Sequence, residues 1–141
     1  MFRTACSLGK LEVAKWIHSL DDVDIHTAGD YAFISSCMEN HVDVIKWLYS
    51  FGNINLYYDN NVLVKFICQR GNLDTFQWII SLGDLDIHED NEIYFRIVCN
   101  SAHLEFAKWI YDTCNINIKA QKNEVFKFAC SNNNLLIATW L

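Results

Sequence analysis

Five tryptophans, Trp16, Trp47, Trp78, Trp109 and Trp140, stand 31 residues apart along a chain of 141. Five cysteines, Cys6, Cys37, Cys68, Cys99 and Cys130, keep the same interval, with only Cys114 outside the series. Two more columns run in register: Phe2, Phe33, Val64, Phe95 and Phe126, and Leu11, Val42, Leu73, Leu104 and Leu135. A fixed period of this length without insertions marks a tandem array of supersecondary units. Each unit is too small to bury its own apolar face, so stability must come from stacking its neighbours. At 52% hydrophobic residues the chain has the apolar content for a continuous core and is too apolar to be disordered.

Within one period, Phe33, Ser36 and Cys37 fall at i, i+3 and i+4, one face of a short helix. Asn40 breaks it, and Gly9, Gly71, Ala102 and Asn133 occupy the same place in the other units. Gly and Asn tolerate the left-handed conformation that ends a helix. A second helix is predicted from about Val42 to Phe51, with Val44, Ile45, Trp47 and Leu48 on its core side. Glu12 with Lys15, Asp43 with Lys46 and Glu105 with Lys108 look outward at i, i+3. Beyond Gly52 and Gly83 the chain alternates polar and apolar residues, as an extended arm with one buried side does. Each unit therefore reads helix, turn, helix, extended arm.

The segments Gly9-Lys10-Leu11-Glu12-Val13-Ala14-Lys15-Trp16-Ile17 and Asn40-His41-Val42-Asp43-Val44-Ile45-Lys46-Trp47-Leu48 resemble the second-helix signature of ankyrin repeats. Ala102-His103-Leu104-Glu105-Phe106-Ala107-Lys108-Trp109-Ile110 resembles it again, and Asn53-Ile54-Asn55 and Asp84-Leu85-Asp86 echo the family's arm. The resemblance covers the whole chain and implies an all-α, ankyrin-type helical solenoid of about four and a half repeats. Its units are expected at about 1–29, 30–60, 61–91, 92–122 and a truncated 123–141. Two features depart from the family. Its Thr-Pro-Leu-His turn lock is replaced by sequences such as Tyr31-Ala32-Phe33-Ile34, and the period is 31 rather than about 33 residues. The Trp-bearing units, rich in Asn, Ile, Phe and Tyr, are similar to the divergent ankyrin arrays of giant DNA viruses that infect amoebae, and similar units occur in amoebal hosts.

Composition removes several function classes. With 11 Lys and Arg against 17 Asp and Glu, net charge −6, nucleic acid is not expected as a main partner. No apolar run is long enough to span a bilayer and no signal peptide is recognisable, so a soluble intracellular protein of the cytoplasm is expected, the host's if the protein is viral. No Cys pair has the close spacing of a structural zinc site. Helices packed roughly 10 Å apart would also hold the laddered Cys beyond the ~7 Å limit for a disulfide. The five laddered Cys are accordingly expected to be small buried packing residues, and Cys114 to be the reactive thiol. His41 and His103 are expected to make turn and inter-unit hydrogen bonds, as the resemblance implies. His26 and His88 lie 62 residues apart, too far to share a metal, and are given a surface role or none. Glu89-Asp90-Glu92 lacks the length and central Gly of a calcium loop. No catalytic motif is present, so neither enzymatic activity, cofactor nor metal is expected. The Trp ladder shares the phase of the apolar positions and is expected to pack into the core.

The resemblance places binding on finger tips and first-helix faces, the positions that differ most between units here. The expected partner-binding residues are Met38, Tyr57, Tyr58, Asp59, Lys65, Gln69, Arg70, Glu89, Asp90, Glu92 and Arg96. Their Tyr and Arg content is typical of interface hot spots. The function expected is a non-enzymatic protein-interaction module, engaging a host protein if the viral resemblance holds. The alternatives are a regulatory fragment of a longer protein and a stable remnant without a partner. Neither end carries the polar face of a capping repeat, which points to a fragment of a longer array. A monomer is expected, with end-to-end association through the uncapped units as the alternative.

Overall fold

The computed structural model describes residues 1–20 and 23–141; the side chains of residues 58, 91 and 119–122 also lie outside the description. Among the described residues ten helices follow one another: α1 (Phe2–Ser7), α2 (Leu11–Leu20), α3 (Thr27–Met38), α4 (Val42–Tyr49), α5 (Tyr58–Arg70), α6 (Leu73–Leu82), α7 (Glu89–Asn100), α8 (Leu104–Cys114), α9 (Ile118–Ser131) and α10 (Leu135–Trp140). They form five antiparallel-type pairs, each a first helix, a tight turn and a second helix. First helices pack on first helices along the array, α1 on α3, α3 on α5, α5 on α7 and α7 on α9. Among the described residues there is no strand. The arms run as irregular extended chain whose apolar positions, Ile25, Leu56 and Ile116, are buried.

The turn between paired helices needs one left-handed residue. Gly9, Asn40, Gly71, Ala102 and Asn133 supply it at φ of 67°, 60°, 78°, 67° and 55°. For a residue with a Cβ this conformation costs roughly 1–2 kcal/mol. The next residue in each later unit, His41, Asn72, His103 or Asn134, reaches back to the preceding unit. The Nε2–H of His41 donates to the carbonyl of Ser7 at 3.0 Å, and that of His103 to the carbonyl of Gln69 at 2.9 Å. Asn72 donates to the carbonyls of Cys37 and Met38 at 2.8 Å each, and Asn134 to that of Cys99 at 3.3 Å. The carbonyls of Ser7, Met38 and Gln69 end a first helix without an intrahelical partner, and those of Cys37 and Cys99 also accept from the turn N–H groups of Asn40 and Ala102. The two expected His bonds are therefore present, and Asn does the same work in alternate units.

The choice between His and Asn follows from the turn residue of the unit before. His41 lies over Gly9 and His103 over Gly71, and a Cβ at these glycines would stand 2.5 and 2.6 Å from the ring. Where the turn residue has a side chain, Asn40 or Ala102, the next unit carries the shorter Asn72 or Asn134. Asn40 adds a further tie: its Oδ1 accepts from the backbone N–H of Thr75 at 3.1 Å and from the Thr75 hydroxyl at 2.7 Å, capping α6 from the neighbouring unit.

The laddered residues divide by position. Cys6, Cys37, Cys68 and Cys99 are buried, as are Phe33, Val64 and Phe95. Cys130 and Phe126 in the last pair are exposed, contrary to the expectation for Cys130, because within this chain no unit packs over that side of α9. The Trp ladder is a wedge between units rather than an interior column. Trp47 meets Phe2 edge-on at 6.1 Å, Trp78 meets Phe33 at 6.5 Å and Trp140 meets Phe95 at 6.3 Å, each an aromatic of the preceding unit. Trp109 finds Val64 at that place in the ladder and instead packs edge-on against Phe76 at 6.2 Å. Trp16 has no preceding unit in this chain and is 61% exposed, which corrects the expectation of core packing there.

Two predictions follow from these ties. Gly71→Ala should cost about 2–4 kcal/mol in the parent chain, the sum of left-handed strain and the clash with His103, and about 1–2 kcal/mol in a His103→Asn background. Urea unfolding of the four proteins of this cycle measures the difference, and equal costs would exclude the steric coupling. In the same assay Trp47→Ala should cost about 3 kcal/mol, whereas Trp16→Ala should stay within about 0.5 kcal/mol of the parent.

Candidate functional site

Each first helix buries one side against its neighbours and leaves a stripe at i, i+3, i+4 and i+7 facing away. On α5 Leu63, Val64, Ile67 and Cys68 are buried while Val62, Lys65, Phe66 and Gln69 form the free stripe. On α7 the corresponding residues are Ile93, Arg96, Ile97 and Asn100, and on α3 they are Tyr31, Ile34, Ser35 and Met38. A groove of about 330 Å³ lies between α5 and α7, lined by Val62, Lys65, Phe66, Gln69, Ile97, Asn100 and Ser101. Phe66, 46% exposed, stands in its wall.

Four of the residues expected to bind a partner, Met38, Lys65, Gln69 and Arg96, lie together on this face. Arg70 is exposed at the end of α5, 3.6 Å from Glu39, an ion pair too solvated to hold either side chain firmly. Arg96 stands 3.7 Å from Glu124. The side chain of Tyr58 lies outside the described residues. Tyr57 turns inward at the base of the finger, where its hydroxyl is buried without a hydrogen-bond partner. Burial, with the nearby Asp84 and Tyr49, pushes that phenol up.

The fingers are built differently from a plain solvated loop. Ala28, Gly29 and Asp30, and likewise Asp59, Asn60 and Asn61, each form a turn of left-handed backbone at φ between 48° and 66°. Asp90 and Glu92 repeat it at 45° and 61°. Side-chain bonds within the fingers hold this costly geometry. The His26 ring bonds Asp30 at 2.6 Å and the His88 ring bonds Glu92 at 2.9 Å, so these two His brace the turn instead of standing idle on the surface. Glu89 accepts from the Tyr94 hydroxyl at 2.5 Å and from Asn61 at 2.7 Å. The Tyr94 bond, aided by Asn61 and Lys65 and opposed by partial burial, holds the Glu89 carboxyl below its ordinary range. Glu92 is buried and also accepts from the backbone N–H of Asn117 at 3.3 Å. Of the acidic trio only Asp90 is exposed, so Glu89 and Glu92 act first as finger braces.

Sequence reasoning missed Phe66, Ile97 and Phe128 as surface residues, together with Arg3 and Lys127. The signal was present: position 66 is three and four residues from Val62, Leu63, Gln69 and Arg70, and its phase opposes that of Val64 and Cys68. Read down the period, Thr4, Ser35, Phe66, Ile97 and Phe128 form a column that turns apolar in the later units.

Among the described residues no group of three or more His, Cys, Asp or Glu is placed to hold a metal ion, and no helix is long and apolar enough to cross a membrane. The expectation for Cys114 is reversed. It is half-buried, and desolvation with the Glu92 carboxylate raises its thiol, away from the reactive thiolate. The left-handed cap in that unit falls one residue later, at Asn115.

Residues 2–49 match the family model described as ankyrin repeats (many copies). That stretch spans α1 to α4, and the match supports an ankyrin-repeat protein. The all-helical succession of α5 to α10 is consistent with the same helical repeat array. No curated protein matches the chain. Ankyrin repeats are generally protein-interaction modules and typically non-enzymatic.

The thiols give a check on this arrangement. Burial pushes Cys6 up to about 11 and Cys99 up to about 12, and raises Cys37 and Cys68 as well. Iodoacetamide at pH 8 should therefore label Cys130 first in the native protein, with Cys114 slower and the four buried thiols reacting only after unfolding. Peptide mapping by mass spectrometry reads the order, and labelling of Cys114 ahead of Cys130 would contradict it.

Proposed function

We propose that the chain is a non-enzymatic protein-interaction module that holds a partner on the free face of its first helices, with the exposed finger residues at the margin. The observation that carries this reading is the stripe on α5 and α7, where a half-exposed Phe66 borders a groove among Lys65, Gln69 and Ile97. An aromatic of that size left 46% exposed gives up much of the burial it could gain within the array, and aromatic and Arg side chains dominate binding at interfaces. Met38 adds an adaptable apolar contact, and Arg96 and Arg70 supply charge beside it.

Tyr57, Glu89 and Glu92 belong to this reading as the frames of the two fingers that border the face, and Asp59 and Asp90 as their exposed tips. The likeness of the units to the ankyrin arrays of giant viruses of amoebae supports a host protein as the partner. A stacked array of pre-formed helices loses little conformational freedom on binding, and that suits a module whose affinity comes from a few anchors.

A pull-down from amoebal lysate compares the parent chain with a Phe66→Ser, Arg96→Ser variant of unchanged circular dichroism. The expected result is a protein retained by the parent and depleted at least tenfold with the variant, reproduced with purified components. Equal recovery of every protein by the two baits would refute the assignment of the face.

A further inference from the structure

The free face of the first helices differs in charge from the molecule that carries it. The chain as a whole is at −6, yet the stripes hold Arg3, Lys65, Arg96 and Lys127 against the single carboxylate of Glu124. The four cations form one column of the period, positions 3, 65, 96 and 127, with Ile34 in the remaining place. One helical step away lies the apolar column, Phe66, Ile97 and Phe128, of which Phe66 and Phe128 are 46% and 50% exposed. A row of cations therefore runs beside an apolar row in which Phe66 and Phe128 are half-exposed and Ile97 between them is partly buried against the core, across the helices rather than along any one of them.

Compensation for these cations is thin. Glu124 sits 3.7 Å from Arg96, with 63% of its own side chain exposed. Arg3 lies over the ring of Tyr31, 5.5 Å from its centroid, which leaves its charge unneutralised. Lys65 is met by the side-chain oxygen of Asn60 at 3.1 Å when that amide is oriented to satisfy its neighbours. Glu89 also faces Lys65 but is already bonded to Tyr94 and Asn61, and Glu92 is bonded to His88.

We infer that this face takes an acidic peptide segment whose apolar side chains seat on Phe66, Ile97 and Phe128 while its carboxylates meet Lys65, Arg96 and Lys127. The inference rests on the protein-interaction reading above and specifies the chemistry of its partner. Adjacent packed helices lie roughly 8–10 Å apart, a distance that about three residues of polyproline II chain span while bringing every third side chain to the same side. The segment accordingly carries an aromatic or long aliphatic residue at about every third position, with Asp or Glu between. Opposite charge on the two surfaces speeds encounter and rejects basic competitors, and the apolar row holds the segment once docked. Nucleic acid fits less well, because four cations spread over five helices neutralise few phosphates on a chain that is itself acidic.

The test is selection of a random linear 12-residue peptide library on the immobilised full chain, followed by fluorescence anisotropy with the enriched peptides synthesised singly. Enriched peptides are expected to be net negative with apolar residues about three apart. Their Kd should rise at least tenfold for Phe66→Ser and for Lys65→Glu with Arg96→Glu, and should rise with salt as charge pairs are screened. Circular dichroism and thermal melting confirm that each variant is folded, and Lys65→Gln gives a charge-neutral check if the reversal disturbs the helix. Enrichment of neutral or basic peptides that still need Phe66 overturns the acidic partner and leaves the interaction module standing. Failure to enrich any peptide overturns both. Phe66-dependent self-association in sedimentation velocity, or tight binding of a labelled oligothymidine to the same face, would overturn the inference in favour of a second copy or of nucleic acid.

Discussion

The carbonyl groups that end α1, α3, α5 and α7 have acceptor capacity left over by their own helix, and the next unit uses it. His41, Asn72, His103 and Asn134 each reach back across the array to these carbonyls. This bond fixes the distance and rotation between successive pairs, and the rest of the structure depends on both. With the register set, each Trp of a later unit wedges against an aromatic, and the small thiols of Cys37, Cys68 and Cys99 are buried in the core. The left-handed turn residue is the counterpart of the lock. It reverses the chain at the one place where the following His or Asn can be presented, and its side chain dictates which of the two fits.

The array concentrates backbone strain where it serves geometry. Left-handed residues occupy every inter-helix turn and the described fingers, many of them Asn or Asp, which tolerate that region better than other side chains with a Cβ. The cost is offset locally by His26 with Asp30, by His88 with Glu92, and by the bonds converging on Glu89. A consequence reaches the surface. Carboxylates that composition would assign to solvent are used inside the fingers, so the charge offered by the first helices is positive although the molecule is acidic.

How much of this could be read from residue order depends on range. The 31-residue columns, the Phe33, Ser36 and Cys37 face and the breakers at Gly9, Asn40, Gly71, Ala102 and Asn133 are local or periodic signals, and the structure follows them. Burial was harder to read, because it depends on what packs across. Trp16 and Trp47 share a column, and Cys99 and Cys130 another, yet one member of each is exposed for want of a neighbouring unit. Cys114 was misjudged for a related reason: its place in the unit matched a helix-ending Gly, but the helix runs one residue longer and brings the thiol towards Glu92. On the candidate face Met38 and Gln69 stand in a column that varies between units, and Lys65 and Arg96 were singled out for the Tyr and Arg mixture that hot spots favour. Phe66, Ile97 and Phe128 were not singled out, because an apolar residue in a helix looks like core until the buried side is known.

Sequence alone therefore determined the repeat, its helix-turn-helix content, the left-handed breakers and the absence of recognisable catalytic motifs, since each is encoded within one period. Tertiary structure decided which of two apolar sides of a first helix is covered, which carboxylates are spent on bracing the fingers, and where the cations gather. Those outcomes come from contacts between residues 25 to 35 positions apart, as in the bonds of Asn117 to Glu92 and of Asn40 to Thr75. Such contacts exist only once the units have stacked, and the stacking decides which side chains the array leaves facing solvent.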